Sequence, residues 1–264
     1  MKHATAFAFA AALAATSVHA DAISQAAATA GASAGISEEE AALPPEWQGK
    51  VAAGFDTASG NTDKDAASVH LEAKKLQGDW VVIAAADGVW EQTEVDGEDH
   101  DTESNAKAGV NVKRRLGGYF VYGDLSGEHD GIAGVKYRFA ESVGLGTFLV
   151  DEDTLKFSVE AGIAYVQEEL DGSESDDYLA WRLAERADWV PVWAEGVSFY
   201  EQASVLADFD ESDRWTGGFE AGVDIPMFAG LSTTLKAVVE HNHMPAEGKE
   251  KTDRRLAAQV GYNF

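Results

Sequence analysis

Cysteine is missing altogether, basic residues are few, and beyond the first twenty positions there is no long apolar run. Each absence excludes something. Without cysteine there is no disulfide framework and no thiolate metal site. With 20 Lys and Arg against 46 Asp and Glu, a net charge of -26, nucleic acid is excluded as a partner, because phosphate backbones are held by basic patches. No later stretch reaches the roughly 18 uninterrupted apolar residues that a transmembrane helix needs. Acidity of this degree also suits a salt-adapted soluble protein, so the position of the charges matters more than their sum.

What is present begins with a leader. Lys2, an Ala/Phe/Leu run from Ala4 to Ala15 and a small-residue exit at Val18, His19 and Ala20 have the layout of a secretory signal peptide over residues 1–20, with cleavage expected after Ala20. Residues 21–46 are rich in Ala, Ser and Gly, turn acidic at Glu38, Glu39 and Glu40, and end at Pro44 and Pro45, a composition that predicts a periplasmic linker. From Trp47 to the end the hydrophobic period is two, which means strands. The last of them alternates Leu256, Ala258, Val260, Tyr262 and Phe264 with Ala257, Gln259, Gly261 and Asn263. An aromatic last residue on an alternating strand resembles the C-terminal assembly signature of outer-membrane barrels.

Twelve strands can be drawn, near residues 47–57, 64–76, 79–93, 103–115, 118–126, 132–149, 154–169, 177–190, 192–208, 213–225, 231–243 and 252–264. An even number suits a single-chain bacterial barrel. The connections sort into two kinds. Gln77–Gly78, Gly117–Gly118, Asp151–Asp153, Val190–Pro191 and Met227–Gly230 are tight; the segments starting at Ser59, Val95, Ser126, Leu170, Asp208 and Met244 are longer and mostly acidic. Short periplasmic turns against longer extracellular loops is the asymmetry of a membrane barrel.

Side-chain alternation gives a second test. In the fourth strand Ala106, Ala108, Val110 and Val112 face one way and Asn105, Lys107, Asn111 and Lys113 the other; the seventh and tenth strands behave likewise. Trp80 and Trp90, and Trp181 and Trp189, share faces at separations that span roughly 20 to 25 Å along tilted strands, close to the distance between the aromatic girdles of a lipid-facing band. Glu141 and Glu185 fall on the apolar side, and the strand at 192–208 has no clear side. The fold expected is therefore all-β: a transmembrane antiparallel up-and-down β-barrel of about 12 strands over residues 47–264, placed by its leader in a bacterial outer membrane.

With the segments placed, the chain resembles the domain-of-unknown-function 481 family, whose members are commonly labelled salt-induced outer membrane proteins. The resemblance runs from Trp47 and Gly49 through Gly60-Asn61-Thr62, Tyr137, Arg138, Gly144-Leu145-Gly146 and the Glu160–Tyr165 strand to Pro245, Gly248, Asp253 and Tyr262-Asn263-Phe264. It implies an outer-membrane barrel with no established activity and a possible link to salt stress. The Ala-rich stretch before Trp47 and the unusually acidic loops depart from the family.

Three groups of residues are candidates for chemistry. Parity places Lys50, Lys74, Lys107, Lys113, Lys136, Arg138, Lys156, Arg182, Arg186, Lys236 and Arg255 in the lumen, with Asp56, Glu72, Asp87, Glu91, Glu160, Asp188, Glu220, Asp224 and Glu240 as partners. A circular barrel of twelve strands is about 24 Å across, so these side chains either line a narrow charged channel or fill it. Asp96, Glu98, Asp99 and Asp101, and Asp171, Glu174, Asp176 and Asp177, are oxygen-rich loops that fit a divalent cation in principle, without the spacing of a calcium loop. His241 and His243 fall near the outer rim, where a lipid hydrolase would need a nucleophile within reach of its base. No serine can be placed beside either ring, and no motif calls for a cofactor or a bound metal. The reading is a non-enzymatic barrel, structural or a narrow pore. The alternatives are a surface-binding barrel whose loops hold divalent cations or lipopolysaccharide and, third, a lipid hydrolase. The expected partners are outer-membrane lipid and lipopolysaccharide, and the barrel-assembly machinery through the C-terminal strand.

Overall fold

The computed structural model describes residues 47–59, 64–91, 93–95, 98–100 and 104–264. The strands are β1 (Trp47–Ser59), β2 (Lys64–Gln77), β3 (Trp80–Glu91), β4 (Thr93–Val95), β5 (Glu98–His100), β6 (Ser104–Leu116), β7 (Tyr119–Asp130), β8 (Val135–Asp151), β9 (Leu155–Leu170), β10 (Asp176–Trp189), β11 (Ser198–Asp208), β12 (Trp215–Pro226), β13 (Leu231–Asn242) and β14 (Thr252–Asn263). β4 and β5 form a separate hairpin in the β3–β6 connection; the other twelve close an antiparallel ring in sequence order. The expected all-β, up-and-down barrel of twelve strands is the fold observed. The leader and linker, residues 1–20 and 21–46, lie outside the described residues.

Closure is a backbone event. β1 pairs with β14 from Lys50 opposite Asn263 to Ser59 opposite Arg254. At the short-turn end Gly49 and Phe264 exchange N–H···O bonds of 2.8 and 2.9 Å. A Cβ on Gly49 would collide with the Phe264 ring, so a residue without a side chain lets the terminal aromatic lie across the first strand.

Alternation puts the polar set inside. On β6, Asn105, Lys107, Asn111 and Lys113 are buried, while Ala106, Ala108, Val110 and Val112 point outward. Asn111 is 0% exposed and Phe55, on the outer face, 78%. Leu145, Leu183, Leu256 and Val260 are also exposed. This inverts the rule for a protein in water and matches a barrel whose outer solvent is hydrocarbon. Trp47, Trp80, Tyr119, Trp189 and Tyr262 ring the short-turn end; Tyr137, Tyr165, Trp181 and Phe209 stand toward the long-loop end.

Two boundaries correct the reading by periodicity. The strand expected at 118–126 runs on to Asp130, so Ser126–Asp130 is strand and only residues 131–134 turn. Its lumen-facing members, Glu128 and Asp130, carry the charge that reads as a solvated loop. The strand expected at 192–208 begins at Ser198; residues 190–197 form two successive turns, closed by Ala194 N–H to Pro191 O and Val197 N–H to Ala194 O. Glu195 therefore never enters the sheet, which removes part of that strand's confusion of faces. Glu141 does remain on the outer face, and so does the half-buried Glu185.

Large lumenal rings lie on glycines of the next strands. Phe120 occupies the space above Gly146, and the Tyr122 hydroxyl the space above the facing pair Gly144 and Gly162. Gly146→Val should therefore overpack the wall and lower stability by roughly 1–3 kcal/mol, read as the midpoint of urea unfolding in liposomes. An unchanged midpoint would mean that the Phe120 ring moves aside freely.

Candidate functional site: the filled lumen

The inward side chains are ionic and bonded to one another. Toward the short-turn end Glu160 on β9 is held on both oxygens, by Lys113 Nζ from β6 at 2.6 Å and Arg182 Nη1 from β10 at 2.7 Å. The Arg182 guanidinium lies over the Tyr122 ring and the Lys113 ammonium over Phe120, each 5.0 Å from the centroid. Arg186 chelates Asp188 at 2.7 to 3.0 Å and donates to Gln202 at 2.8 Å. Lys50 reaches Asp224 and, at 2.7 Å, Thr234. Beside these charges, Leu76, Val81, Ile83 and Ala85 of β2 and β3 form a dry apolar cluster on the same inner face.

At mid-height His70 pairs with Asp87 at 2.9 Å, Lys236 stands 3.7 Å from Asp87 and 3.5 Å from Glu220, and Tyr200 donates to Glu220 at 2.7 Å. Higher up, Arg138 on β8 sits between Glu128 of β7 at 3.2 Å and Glu168 of β9 at 2.8 Å. Lys107 of β6 reaches Glu240 of β13 and stands 3.6 Å from Glu128 and 4.0 Å from Asp130, while Arg255 holds the other Glu240 oxygen at 2.7 Å.

The Lys107–Glu240 contact decides the shape of the bore. β6 and β13 are five strands apart around the ring of twelve, almost opposite. In a circular barrel their inner walls would stand about 23 Å apart. An outstretched Lys and Glu in contact span only about 14 Å between Cα atoms. The walls are therefore drawn together into an oval, and the charges bridge it. Between the clusters there remains a cavity of about 100 Å³, bordered by Asp56, Asp87, Asp124, Arg182, Glu220 and Lys236.

A strap covers the long-loop mouth. Residues 243–251, between β13 and β14, cross toward the β7–β8 turn on the far side. There Ala246 is buried against Gly134, and Lys249 Nζ donates to Gly131 O at 3.3 Å. Gly134 has φ +72°, a left-handed conformation that glycine adopts without strain. Pro245, Glu250 and Asp253 roof a smaller space above Lys107, Glu128 and Glu240.

Of the residues singled out by parity, Lys107, Lys113, Arg138, Arg182, Arg186, Glu160, Glu220, Asp224, Lys236 and Glu240 all enter these networks. Lys136 does not. A register shift between Val135 and Tyr137 turns its side chain outward, where it pairs with Glu169 at 2.7 Å, half exposed. Glu91 has a side chain outside the described set. Parity missed Asp124, Glu128, Asp130 and Glu168. Glu168 was within reach of it, standing eight residues from Glu160 on one strand; Glu128 and Asp130 were hidden by their resemblance to a loop. On β14, Leu256, Ala258, Val260, Tyr262 and Phe264 all face outward.

The other candidates look weaker in three dimensions. No three His, Asp or Glu side chains converge on a metal position among the described residues. Asp176 is instead bonded to Arg214 at 2.6 Å. His241 and His243 stack on Trp215, with ring centroids 4.4 and 5.4 Å away, and His241 Nδ1 lies 2.8 Å from the Thr252 hydroxyl. That pair has the base and hydroxyl of a hydrolase, but among the described residues no third group bonds His241 Nε2 to orient the ring.

A family model described as "Protein of unknown function, DUF481" matches residues 51–264. No curated protein matches the chain. Among solved structures it is similar to the NanC porin, at 10% identity and a TM-score of 0.54, over 80% of this chain and 98% of that one. It is also similar to the COG4313 outer membrane channel from Pseudomonas putida F1, at 11% identity and 0.50, over 86% and 99%. Outer membrane phospholipase A from Escherichia coli aligns at 13% identity and 0.47, over 84% and 98%. At such identities the likeness is one of fold: that of bacterial outer-membrane barrels.

The two kinds of ion pair should respond differently to truncation. Glu160→Ala leaves Lys113 and Arg182 buried without their anion and is expected to cost roughly 3–5 kcal/mol. Lys136→Ala, at an exposed pair, should leave the urea midpoint in place. Equal shifts in the two variants would contradict the inward placement of Glu160.

Proposed function

The chain belongs to the DUF481 family of proteins of unknown function, and because its bore is bridged by ion pairs, we propose an integral outer-membrane barrel that is closed at rest and acts as a structural element of that membrane. The observation that carries this reading is the Lys107–Glu240 bridge between nearly opposite walls. A standing pore keeps its lumen charges hydrated and its path continuous. Here the charges face each other across a small cavity, and the strap crosses above it to the β7–β8 turn. On this reading the short turns lie in the periplasm and the long loops outside, with the leader removed on export.

Enzymatic hydrolysis has the least support, since among the described residues no group orients the His241–Thr252 pair. A gated narrow pore is the second reading, favoured by the cavity between the clusters. The C-terminal strand, with Phe264 outward at the short-turn end, suits recognition by the assembly machinery.

Single-channel recording in planar bilayers tests the proposal. The full mature chain, and the same chain without residues 21–46, should show no discrete conductance steps while running as a folded, heat-modifiable band. Deleting residues 245–249 should leave the trace silent, because the ion-pair bridge lies below the strap. Lys107→Ala with Glu240→Ala should open it. Steps from the unaltered barrel would replace the structural reading with a pore, and steps from the strap deletion alone would make residues 243–251 the gate.

A further inference from the structure

The outer face is not uniform in charge. On β8 to β10 it carries Glu141, Glu169, Asp177 and Glu185, and β11 adds Glu201. On β12 to β14 the register aligns the outward residues in rows. From the long-loop rim downward these read Trp215 beside His243; Gly217, His241 and Thr252; Phe219, Val239 and Arg254; then Ala221, Ala237 and Leu256. Below them come Val223, Leu235 and Ala258, then Ile225, Thr233 and Val260, then Leu231 and Tyr262. No carboxylate stands among these rows, in a chain whose net charge is -26.

Arg254 is the fixed cation on that face. Its side chain is exposed and meets no carboxylate among the described residues. The other outward cations are engaged: Lys75 over Trp47 and Arg114 over Trp80 at the opposite end, Lys136 with Glu169, and Arg214 with Asp176, Asp208 and Glu211. Height matters as well. Arg254 lies eight residues above Tyr262 on a tilted strand, roughly 20 Å, and His241 with Thr252 roughly 25 Å. The apolar band of such barrels is about 25 Å tall. A guanidinium with no ion pair among the described residues thus sits at the upper edge of an apolar sheet face, under a stack of Trp215 and His241.

Resting on the membrane placement proposed above, we propose that the outer face of β12–β14 at the extracellular rim binds a phosphorylated glycolipid of the outer leaflet. Arg254 takes the phosphate, whose oxygens match its planar fork, and His241 flanks it. The acyl chains lie down Phe219, Leu256, Leu235 and Val260, and Trp215 meets the sugar at the interface. The ligand chemistry is that of lipid A: phosphate and sugar at the rim, several acyl chains below. A phospholipid offers the phosphate without the sugar or the wide apolar footprint.

The test is binding to the refolded full mature barrel in detergent, followed by native mass spectrometry and by the thermal midpoint. Its probes are lipopolysaccharide, the same lipopolysaccharide after removal of the lipid A phosphates, and phosphatidylglycerol. Intact lipopolysaccharide should bind and raise the midpoint, and the dephosphorylated form and phosphatidylglycerol should bind at least about tenfold more weakly. Arg254→Gln should lose about tenfold, whereas Arg114→Gln, a cation at the periplasmic end, should bind as the parent does. Equal binding by Arg254→Gln, by dephosphorylated lipopolysaccharide or by phosphatidylglycerol overturns the proposal. Failure of all probes on a barrel that inserts normally into bilayers would overturn this site and leave the membrane reading intact; failure to insert would overturn the reading beneath it.

Discussion

Everything in this molecule depends on the pairing of β1 with β14. A sheet of eleven hairpins with two free edges would present unpaired N–H and C=O groups along its first and last strands, and in hydrocarbon each would cost several kcal/mol. The ring cancels that cost by bonding Gly49 to Phe264 and continuing the ladder to Ser59 and Arg254. Once it is closed, alternation has a fixed meaning: one parity faces outward and the other has nowhere to go but the bore.

The bore is then a problem of filling. Twelve strands enclose more space than eight, and less than a porin. This chain resolves it with long ionic side chains that meet across the middle and with aromatics laid on glycines, so that the ring becomes oval. Buried ion pairs add little net stability, because desolvation offsets most of the attraction. Their effect is on specificity: Glu160 fixes β6 against β10, and Glu240 fixes β6 against β13. A one-residue slip in any strand would turn its ionic set into lipid, so the networks also protect the register.

The architecture was legible in the sequence because its signals are local. Period two and the alternation of short and long connections need no tertiary knowledge. Lys136 failed because a shift of register at Tyr137 breaks the parity on which the inference rests, and no residue type announces that shift. Glu128 and Asp130 were lost for a different reason. Ser-Gly-Glu-His-Asp has the composition of a solvated loop, yet Ser126–Asp130 pairs with β6 and Glu128 meets the cations Lys107 and Arg138. The strap and the ordering of the outer rows were out of reach, since both depend on which strands face each other across the ring.

That partition also explains the acidity. Inside the bore, Lys50, Lys107, Lys113, Arg138, Arg182, Arg186, Lys236 and Arg255 are all bonded to carboxylates. Asp56, Asp87, Asp124, Glu128, Asp130, Glu160, Glu168, Asp188, Glu220, Asp224 and Glu240 line the same bore, so the two signs are nearly matched among the described residues. The whole chain carries -26, so most of its negative charge is placed where water screens it. Low dielectric enforces the near balance inside; nothing enforces it in the loops. An anionic headgroup meets least resistance beside β12–β14, where the outward rows hold no carboxylate and Arg254 has no ion pair among the described residues. The same rule of charge, pairing in the dry interior and excess in the wet periphery, closes the bore and leaves one face of the barrel receptive.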